Sequence, residues 1–188
     1  MAMQVFRMEI EGPLLVVPKV FGDSRGYFFE SFSVRDFERE SGLEGVRFVQ
    51  DNESCSAKGV LRGMHFQKGA FAQAKLVRVV RGAVQDVAVD LRPGSPTFGR
   101  HVSVVLTGDN KHSLYIPKGF AHGFLVLEED TVFQYKCDAF YEPTAEGSVR
   151  WDDPHLQIGW MLDGIQPVLS DKDQRAPSLQ EFLQEMGQ

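Results

Sequence analysis

Between Gly59 and Cys137 the chain is a succession of short β-branched runs separated by turn chemistry, and this spacing constrains the fold more than any other feature. The runs are GVLRGMHF, AKLVRVVRG, AVQDVAVDL, HVSVVLTG, SLYIP, HGFLVL and TVFQYKC. Strands this short and this closely spaced predict an all-β sandwich or barrel rather than alternating βα units. Breaks fall at Arg92-Pro93-Gly94-Ser95-Pro96, at Gly108-Asp109-Asn110 and at Glu128-Glu129-Asp130, each rich in residues that favour turns. In AVQDVAVDLR, Val87, Val89 and Leu91 alternate with Asp86, Ala88 and Asp90, the period-two pattern of a half-buried strand.

Helices are few. Ser33 is placed to cap a short helix ending at Gly42, where a residue free to adopt positive φ lets the chain turn. Ser178 and Glu181 form a capping-box pattern ahead of Phe182 and Leu183. No repeat, low-complexity stretch or linker divides the chain, so residues 1–188 are expected to form a single domain with a C-terminal helical addition. A chain of this length buries roughly 70% of the surface its unfolded form exposes, enough for one core.

Several partners are excluded. The net charge is −6 and the 20 Lys and Arg residues are scattered, leaving no basic stripe to track nucleic-acid phosphates. The opening MAMQVFRMEIEG holds no apolar run long enough for a signal peptide, and no later segment has the length to span a bilayer, so a cytoplasmic protein without a membrane partner is expected. Cys55 and Cys137 stand far apart without a metal-type or redox-type spacing, which predicts inert thiols rather than a disulfide.

Pro117-Lys118-Gly119-Phe120-Ala121-His122 has the P-x-G-x-x-H form of the second cupin motif and resembles a cupin on that count. The first cupin motif supplies two histidines at alternate strand positions and a glutamate soon after, so that side chains on one face converge on a metal. Here Gly59-Val60-Leu61-Arg62-Gly63-Met64-His65-Phe66-Gln67 offers His65 alone, with Gln67 at the second position and no carboxylate before Asp86. Two histidines fall short of the three protein ligands of a catalytic zinc, so no metal and no other cofactor is expected.

Further stretches carry a more specific likeness. Asp23-Ser24-Arg25-Gly26-Tyr27-Phe28-Phe29-Glu30, Gln50-Asp51-Asn52-Glu53-Ser54, Gln73-Ala74-Lys75-Leu76-Val77-Arg78-Val79, Ser95-Pro96-Thr97-Phe98-Gly99 and Leu169-Ser170-Asp171-Lys172-Asp173, with the two motifs above, resemble the dTDP-4-dehydrorhamnose 3,5-epimerase family in content and order. The likeness runs from about Val16 to Asp173 and implies a cupin-type jelly-roll β-barrel with short peripheral helices. It also implies a 4-keto-6-deoxyhexose nucleotide as substrate. The hydrogens at C3 and C5 of that sugar flank a carbonyl, so a base removes one if the enolate is stabilised, and an acid on the other face completes the inversion.

By this resemblance His65 is the base and Asp173 fixes its tautomer. Tyr135 is the proton donor, and Lys75 stabilises charge on the carbonyl oxygen. Arg25 and Arg62 are implied as diphosphate ligands, where guanidinium forks suit phosphate oxygens. Phe28, Glu30, Gln50, Asp51, Asn52, His122, Tyr141, Glu146 and Lys172 are implied to contact the nucleotide or sugar. Arg25 and Glu30 reach the neighbouring subunit's site through a swapped N-terminal strand in the family, which implies a homodimer.

Taken singly, each residue has a plainer reading. His65 alone reads as a hydrogen-bonded histidine of a barrel wall, Tyr135 as a strand aromatic, Lys75 as a solvated edge lysine, and Asp173 as an exposed acid in a polar, loop-like stretch. Family members often carry prolines between the histidine and the lysine, where this chain has Lys68-Gly69-Ala70-Phe71. A relative that inverts one carbon only, and a cupin that binds a sugar without catalysis, fit the fold as well. The intact acid and base favour catalysis.

Overall fold

A computed structural model of the chain describes residues 3–186. Met1 and Ala2, which open the N-terminal stretch read above, and Gly187 and Gln188, which end the predicted domain, lie outside the described residues. Each of the seven β-branched runs is a strand. They are β6 (Leu61–Gln67), β7 (Lys75–Arg81), β8 (Ala83–Asp90), β9 (His101–Thr107), β10 (Ser113–Ile116), β11 (Phe120–Val126) and β12 (Thr131–Cys137). Before them come β1 (Met3–Arg7), β2 (Leu14–Pro18), β3 (Val20–Asp23), β4 (Gly26–Phe29) and β5 (Gln50–Ser56), and after them β13 (Glu146–Ser148).

Two antiparallel sheets face each other. Sheet one runs β1-β2-β10-β7-β12-β5 and sheet two runs β13-β6-β11-β8-β9, while β3 and β4 form a separate hairpin. This is a cupin-type jelly roll, as the sequence predicts. Between the sheets, Val77, Val79, Leu114 and Phe133 of sheet one pack on Val84, Ala88, Leu106 and Phe124 of sheet two. Each Val, Leu or Phe among them, fully buried, contributes about 1.5–3 kcal/mol.

The helices stay at the periphery. α1 (Val34–Ser41) begins where Ser33 Oγ accepts from the Asp36 N–H and ends at Gly42, whose φ of 74° is the left-handed conformation expected there. Its Phe37 is fully buried in a cluster with Met3, Leu14, Val16 and Leu76. α3 (Leu179–Met186) opens on the predicted capping box: Glu181 Oε2 accepts from the Ser178 N–H at 2.7 Å and Ser178 Oγ from the Glu181 N–H at 3.2 Å. A third helix, α2 (Asp171–Gln174), occupies the stretch read as a loop, and it buries Asp173 to 3% exposure.

The half-buried reading of Asp86–Leu91 needs correction, because β8 is buried at all eight positions. Its outer face, with Val87 and Val89, is covered by Val149, Leu156, Leu179 and Phe182 from the C-terminal part of the chain. Gln85 clamps that cover in place, donating to the Gly159 carbonyl at 2.9 Å and accepting from the Met161 N–H at 2.7 Å. The acidic face therefore turns into the barrel rather than to solvent. Strand β5, QDNESCS, was not foreseen because its polar residues carry no strand propensity; it forms by pairing with β12 along its whole length.

At one end of β8, Asp90 is wholly buried and saturated with donors. Arg92 gives it Nε at 2.9 Å and a second guanidinium nitrogen at 2.7 Å, and Ser95 and Thr97 each donate a hydroxyl at 2.6 Å. Burial works against ionisation of Asp90, but these bonds outweigh it and hold the carboxyl far below the ordinary range. The Ser95-Pro96-Thr97 motif thus serves to satisfy a buried acid. A carboxyl depressed in the folded state stabilises above its unfolded pKa of about 3.9 and loses that contribution as pH falls toward the folded value. Asp90→Asn should therefore cost about 2–4 kcal/mol in urea unfolding at pH 7. The gap to wild type should narrow steadily below about pH 4.

Candidate active site

Sheet two carries the first half of the site on its inner face. Strands β6 and β11 approach so closely that a Cβ on Gly63 would lie 2.5 Å from Gly123 Cα, and one on Gly123 would lie 2.6 Å from Met64 Sδ. Glycine at both positions permits this pairing, which sets His65 directly across from His122. His122 is held at 3.0 and 3.1 Å by the two carboxylate oxygens of buried Asp86 and stacks on Phe133. Asp86 was noted in the sequence only as a member of a polar face. The register that makes it His122's partner is a tertiary fact.

His65 has its own acid. Its Nε2 meets Asp173 Oδ1 at 2.6 Å, and the same oxygen accepts from the Gly63 N–H at 3.3 Å. Asp173 arrives because the chain at Val168 pairs with Val60 beside the start of β6, with the Val168 N–H donating to the Gly59 carbonyl and the Leu61 N–H to the Val168 carbonyl. Burial opposes ionisation of Asp173, yet the bonds from His65, Ser170 and Gly63 prevail and keep the carboxyl below its ordinary value. An ionised carboxylate only accepts, so His65 Nε2 is the donor to it, and in the neutral imidazole this leaves the lone pair on Nδ1.

Sheet one supplies the opposing wall. Register pairing puts Tyr135 between Val77 and Asn52, and Cys137 between Lys75 and Gln50, so these residues share the inner face. Burial raises the Tyr135 phenol above its usual pKa, partly offset by the positive charge of Arg62, so it stays protonated at neutral pH. Burial lowers the Lys75 ammonium, opposed by Cys137, Asp86 and Glu146. Lys75 lies over the Tyr135 ring at 5.8 Å, and among the described residues no carboxylate lies within ion-pair distance of it. Edge exposure, the plainer reading of Lys75, does not apply.

A cavity of about 320 Å³ joins the two walls, with His65, Lys75, Tyr135, Asn52 and Glu146 all lining it. Gln50 and Tyr141 line it too, and Gln50 ties itself to Asn52 at 3.0 Å and to the Tyr141 N–H at 3.1 Å. Glu146 accepts from the Tyr141 hydroxyl at 3.1 Å and pairs with Lys172. Arg62 hydrogen-bonds to Ser56 at 3.2 Å. Gln67, Gln73 and Cys137 also line the cavity and were missed; polar residues of a barrel wall carry no signal that separates lumen from surface.

Arg62, His122 and Lys172 do not line this cavity, and four further implied residues also lie elsewhere. Asp51 sits on the outer face of β5, held by Lys136 at 2.8 and 3.0 Å, because strand alternation turns it away from Gln50 and Asn52. Arg25 and Phe28 belong to the exposed β3–β4 hairpin, where Arg25 pairs with Asp23 at 2.6 Å and Phe28 is 70% exposed; Glu30 follows it in the chain, also exposed. Among the described residues, no three His, Cys, Asp or Glu side chains cluster as a metal site would require.

A jelly-roll barrel that opposes a His–Asp pair to a protonated tyrosine and an unpaired lysine has the parts of a proton-transfer enzyme acting next to a carbonyl. The chain belongs to the dTDP-4-dehydrorhamnose 3,5-epimerase family, whose model matches residues 7–181. It is 52% identical to the dTDP-4-dehydrorhamnose 3,5-epimerase of Escherichia coli, over 96% of this chain and 97% of that one. Among solved structures, it resembles the dTDP-6-deoxy-D-glucose-3,5-epimerase of Legionella pneumophila in complex with dTDP-4-keto-L-rhamnose. That match has a TM-score of 0.90 and 49% identity, covering 95% of this chain and 93% of that one. A 3'-monoepimerase from Streptomyces bikiniensis in complex with dTDP-quinovose matches at 38% identity and a TM-score of 0.88, over 96% and 90% of the two chains.

The two thiols report the strand alternation directly. Cys55 is exposed, whereas Cys137 is buried and burial pushes its pKa up to about 11. A colorimetric disulfide reagent at pH 8 should therefore titrate one thiol per native chain quickly, with the second appearing only on unfolding.

Proposed function

We propose that the chain, acting as one domain over residues 1–188, converts dTDP-4-keto-6-deoxyglucose to dTDP-4-keto-L-rhamnose by inverting C3 and C5 in turn. The observation that carries this reading is the opposition of the His65–Asp173 pair to Tyr135 and Lys75 across one cavity. His65 Nδ1 takes the proton from the carbon beside the C4 carbonyl, and the C–H electrons pass to the carbonyl oxygen as an enolate. Lys75, which has no competing carboxylate, neutralises that oxygen in a site largely withdrawn from water. The Tyr135 phenol then returns a proton to the opposite face of the carbon, leaving a phenolate that Arg62 favours; solvent reprotonates the phenolate and takes the proton from the His65 imidazolium, which resets both groups for the second carbon.

Both α-carbons share the C4 oxygen, so a single base and a single oxyanion stabiliser serve both if the ring presents each hydrogen to His65. No metal enters this scheme. Asp173 and Asp86 are each engaged by a histidine and Glu146 by Lys172, which leaves the acids of the cavity committed to other partners. The likeness to a 3'-monoepimerase keeps a second reading in play, inversion at one carbon with the same acid and base. Among the described residues no helix is long and apolar enough to cross a membrane. A nucleotide-sugar substrate fits work in the cytoplasm.

Arg25, Phe28 and Glu30 stand away from the cavity of their own chain and complete that of a partner in a homodimer. The exposed Phe21, Tyr27 and Phe28 of the hairpin support this, since large aromatics at 52–70% exposure are costly to leave in water.

In heavy water with a chelator present, the protein should place deuterium at both C3 and C5 of the 4-keto sugar nucleotide, read by NMR. Label at C3 alone assigns a monoepimerase, and tight binding with no label assigns a non-catalytic binder. His65→Ala should abolish labelling and lower turnover by about 10³-fold or more, while Tyr135→Phe should lose turnover but retain exchange.

The shared site is tested by mixing. Arg25→Ala and His65→Ala proteins, each nearly inactive, should recover about a quarter of wild-type activity after subunit exchange, because half of randomly formed dimers hold one intact site of two. Recovery of none would place Arg25 outside the partner's cavity.

A further inference from the structure

Ser170 has no part in the reaction described above, yet both hydrogen bonds of its hydroxyl are made to Asp173. The hydroxyl donates to Asp173 Oδ2 at 2.6 Å and accepts from the Asp173 N–H at 3.2 Å. Asp173 Oδ1 is occupied separately, by His65 Nε2 and the Gly63 N–H. The acid is 3% exposed, and among the described residues Ser170 is the one hydrogen-bond donor to Oδ2. The carboxylate is thus gripped at both oxygens by groups of fixed and different origin.

A carboxylate turns easily about its Cβ–Cγ bond, because that torsion is broad and roughly two-fold. Pinning one oxygen to a hydroxyl and the other to a backbone N–H removes this freedom. It presents Oδ1 to the imidazole in one orientation, which in turn holds Nδ1 toward the cavity. The 2.6 Å separation lies in the range of charge-assisted O–H···O⁻ bonds, the stronger kind. Ser170 itself lies at the surface, so water is its natural competitor for Oδ2.

We propose that Ser170 is a positioning residue of the base, acting through Asp173 to fix the angle at which His65 meets the substrate. This inference rests on the reading of His65 and Asp173 as the base pair. The alternative role for Ser170 is to cap α2, and substitution separates the two. Glycine is nearly as good a cap as serine but has no hydroxyl, whereas threonine keeps both the cap and the donor.

The experiment compares steady-state kinetics and thermal unfolding of Ser170→Gly, Ser170→Thr, Asp173→Asn and the Ser170→Gly/Asp173→Asn double variant. Ser170→Gly should lose about tenfold to a hundredfold in kcat with KM and melting temperature near wild type, the size expected for one hydrogen bond to a charged group. Ser170→Thr should restore kcat. In the Asp173→Asn background, Ser170→Gly should cost nothing further, because no carboxylate remains to be oriented. Wild-type kcat in Ser170→Gly, a threonine variant as impaired as glycine, or a full-sized additional loss in the double variant would each overturn the assignment. Asp173→Asn at wild-type kcat would overturn the base pair and this inference together, whereas an impaired Asp173→Asn beside an intact Ser170→Gly sinks Ser170 alone.

Discussion

The site depends on sheet two being buried on both sides. Its inner face closes the barrel against sheet one, and its outer face is covered by Val149, Leu156, Leu179 and Phe182 from the last forty residues of the chain. With apolar residues covering both faces, the acids of β8 have no route to water and must find partners within the fold. Asp86 finds His122 and Asp90 finds Arg92, Ser95 and Thr97. The same cover returns the chain to the beginning of β6 at Val168, and so delivers Asp173 to His65 across 108 residues of sequence.

Electrostatic pairing within the barrel is selective. His65, His122 and Lys172 each meet a carboxylate, whereas among the described residues no carboxylate lies within ion-pair distance of Lys75. Withdrawing an ammonium from water without a counter-ion weakens its charged form, which is the direction of the Lys75 pKa shift. In the proposed reaction, negative charge arising on the substrate's carbonyl oxygen would offset that cost. Burial shifts Tyr135 the opposite way on the same wall and keeps its proton in place, as the proposed donor role requires.

Much of the fold is legible in the residues. The seven β-branched runs, the Ser33–Gly42 helix and the Ser178–Glu181 capping box are local patterns, and local patterns survive folding when the tertiary structure agrees with them. Where the residues misled, burial was the reason. Asp86 and Asp90 look like a solvent face and point into the barrel; the stretch holding Asp173 looks like an exposed loop and forms a helical turn that buries Asp173 alone; β5 looks like a polar connection and is an edge strand.

The sequence by itself determined the seven strands between Gly59 and Cys137, the family, and the choice of His65, Lys75, Tyr135 and Asp173 as candidates, because motif content and spacing are properties of the linear chain. Only the tertiary structure decided which of the implied residues share a cavity. Alternation along β5 turns Asp51 outward beside Gln50 and Asn52, and the β3–β4 hairpin carries Arg25 and Phe28 away from the cavity of their own chain. It also decided that Ser170 grips the acid that holds His65. Such facts depend on register and on contacts between distant segments, and these are fixed by burial of apolar faces across the whole fold rather than by any residue's neighbours in sequence.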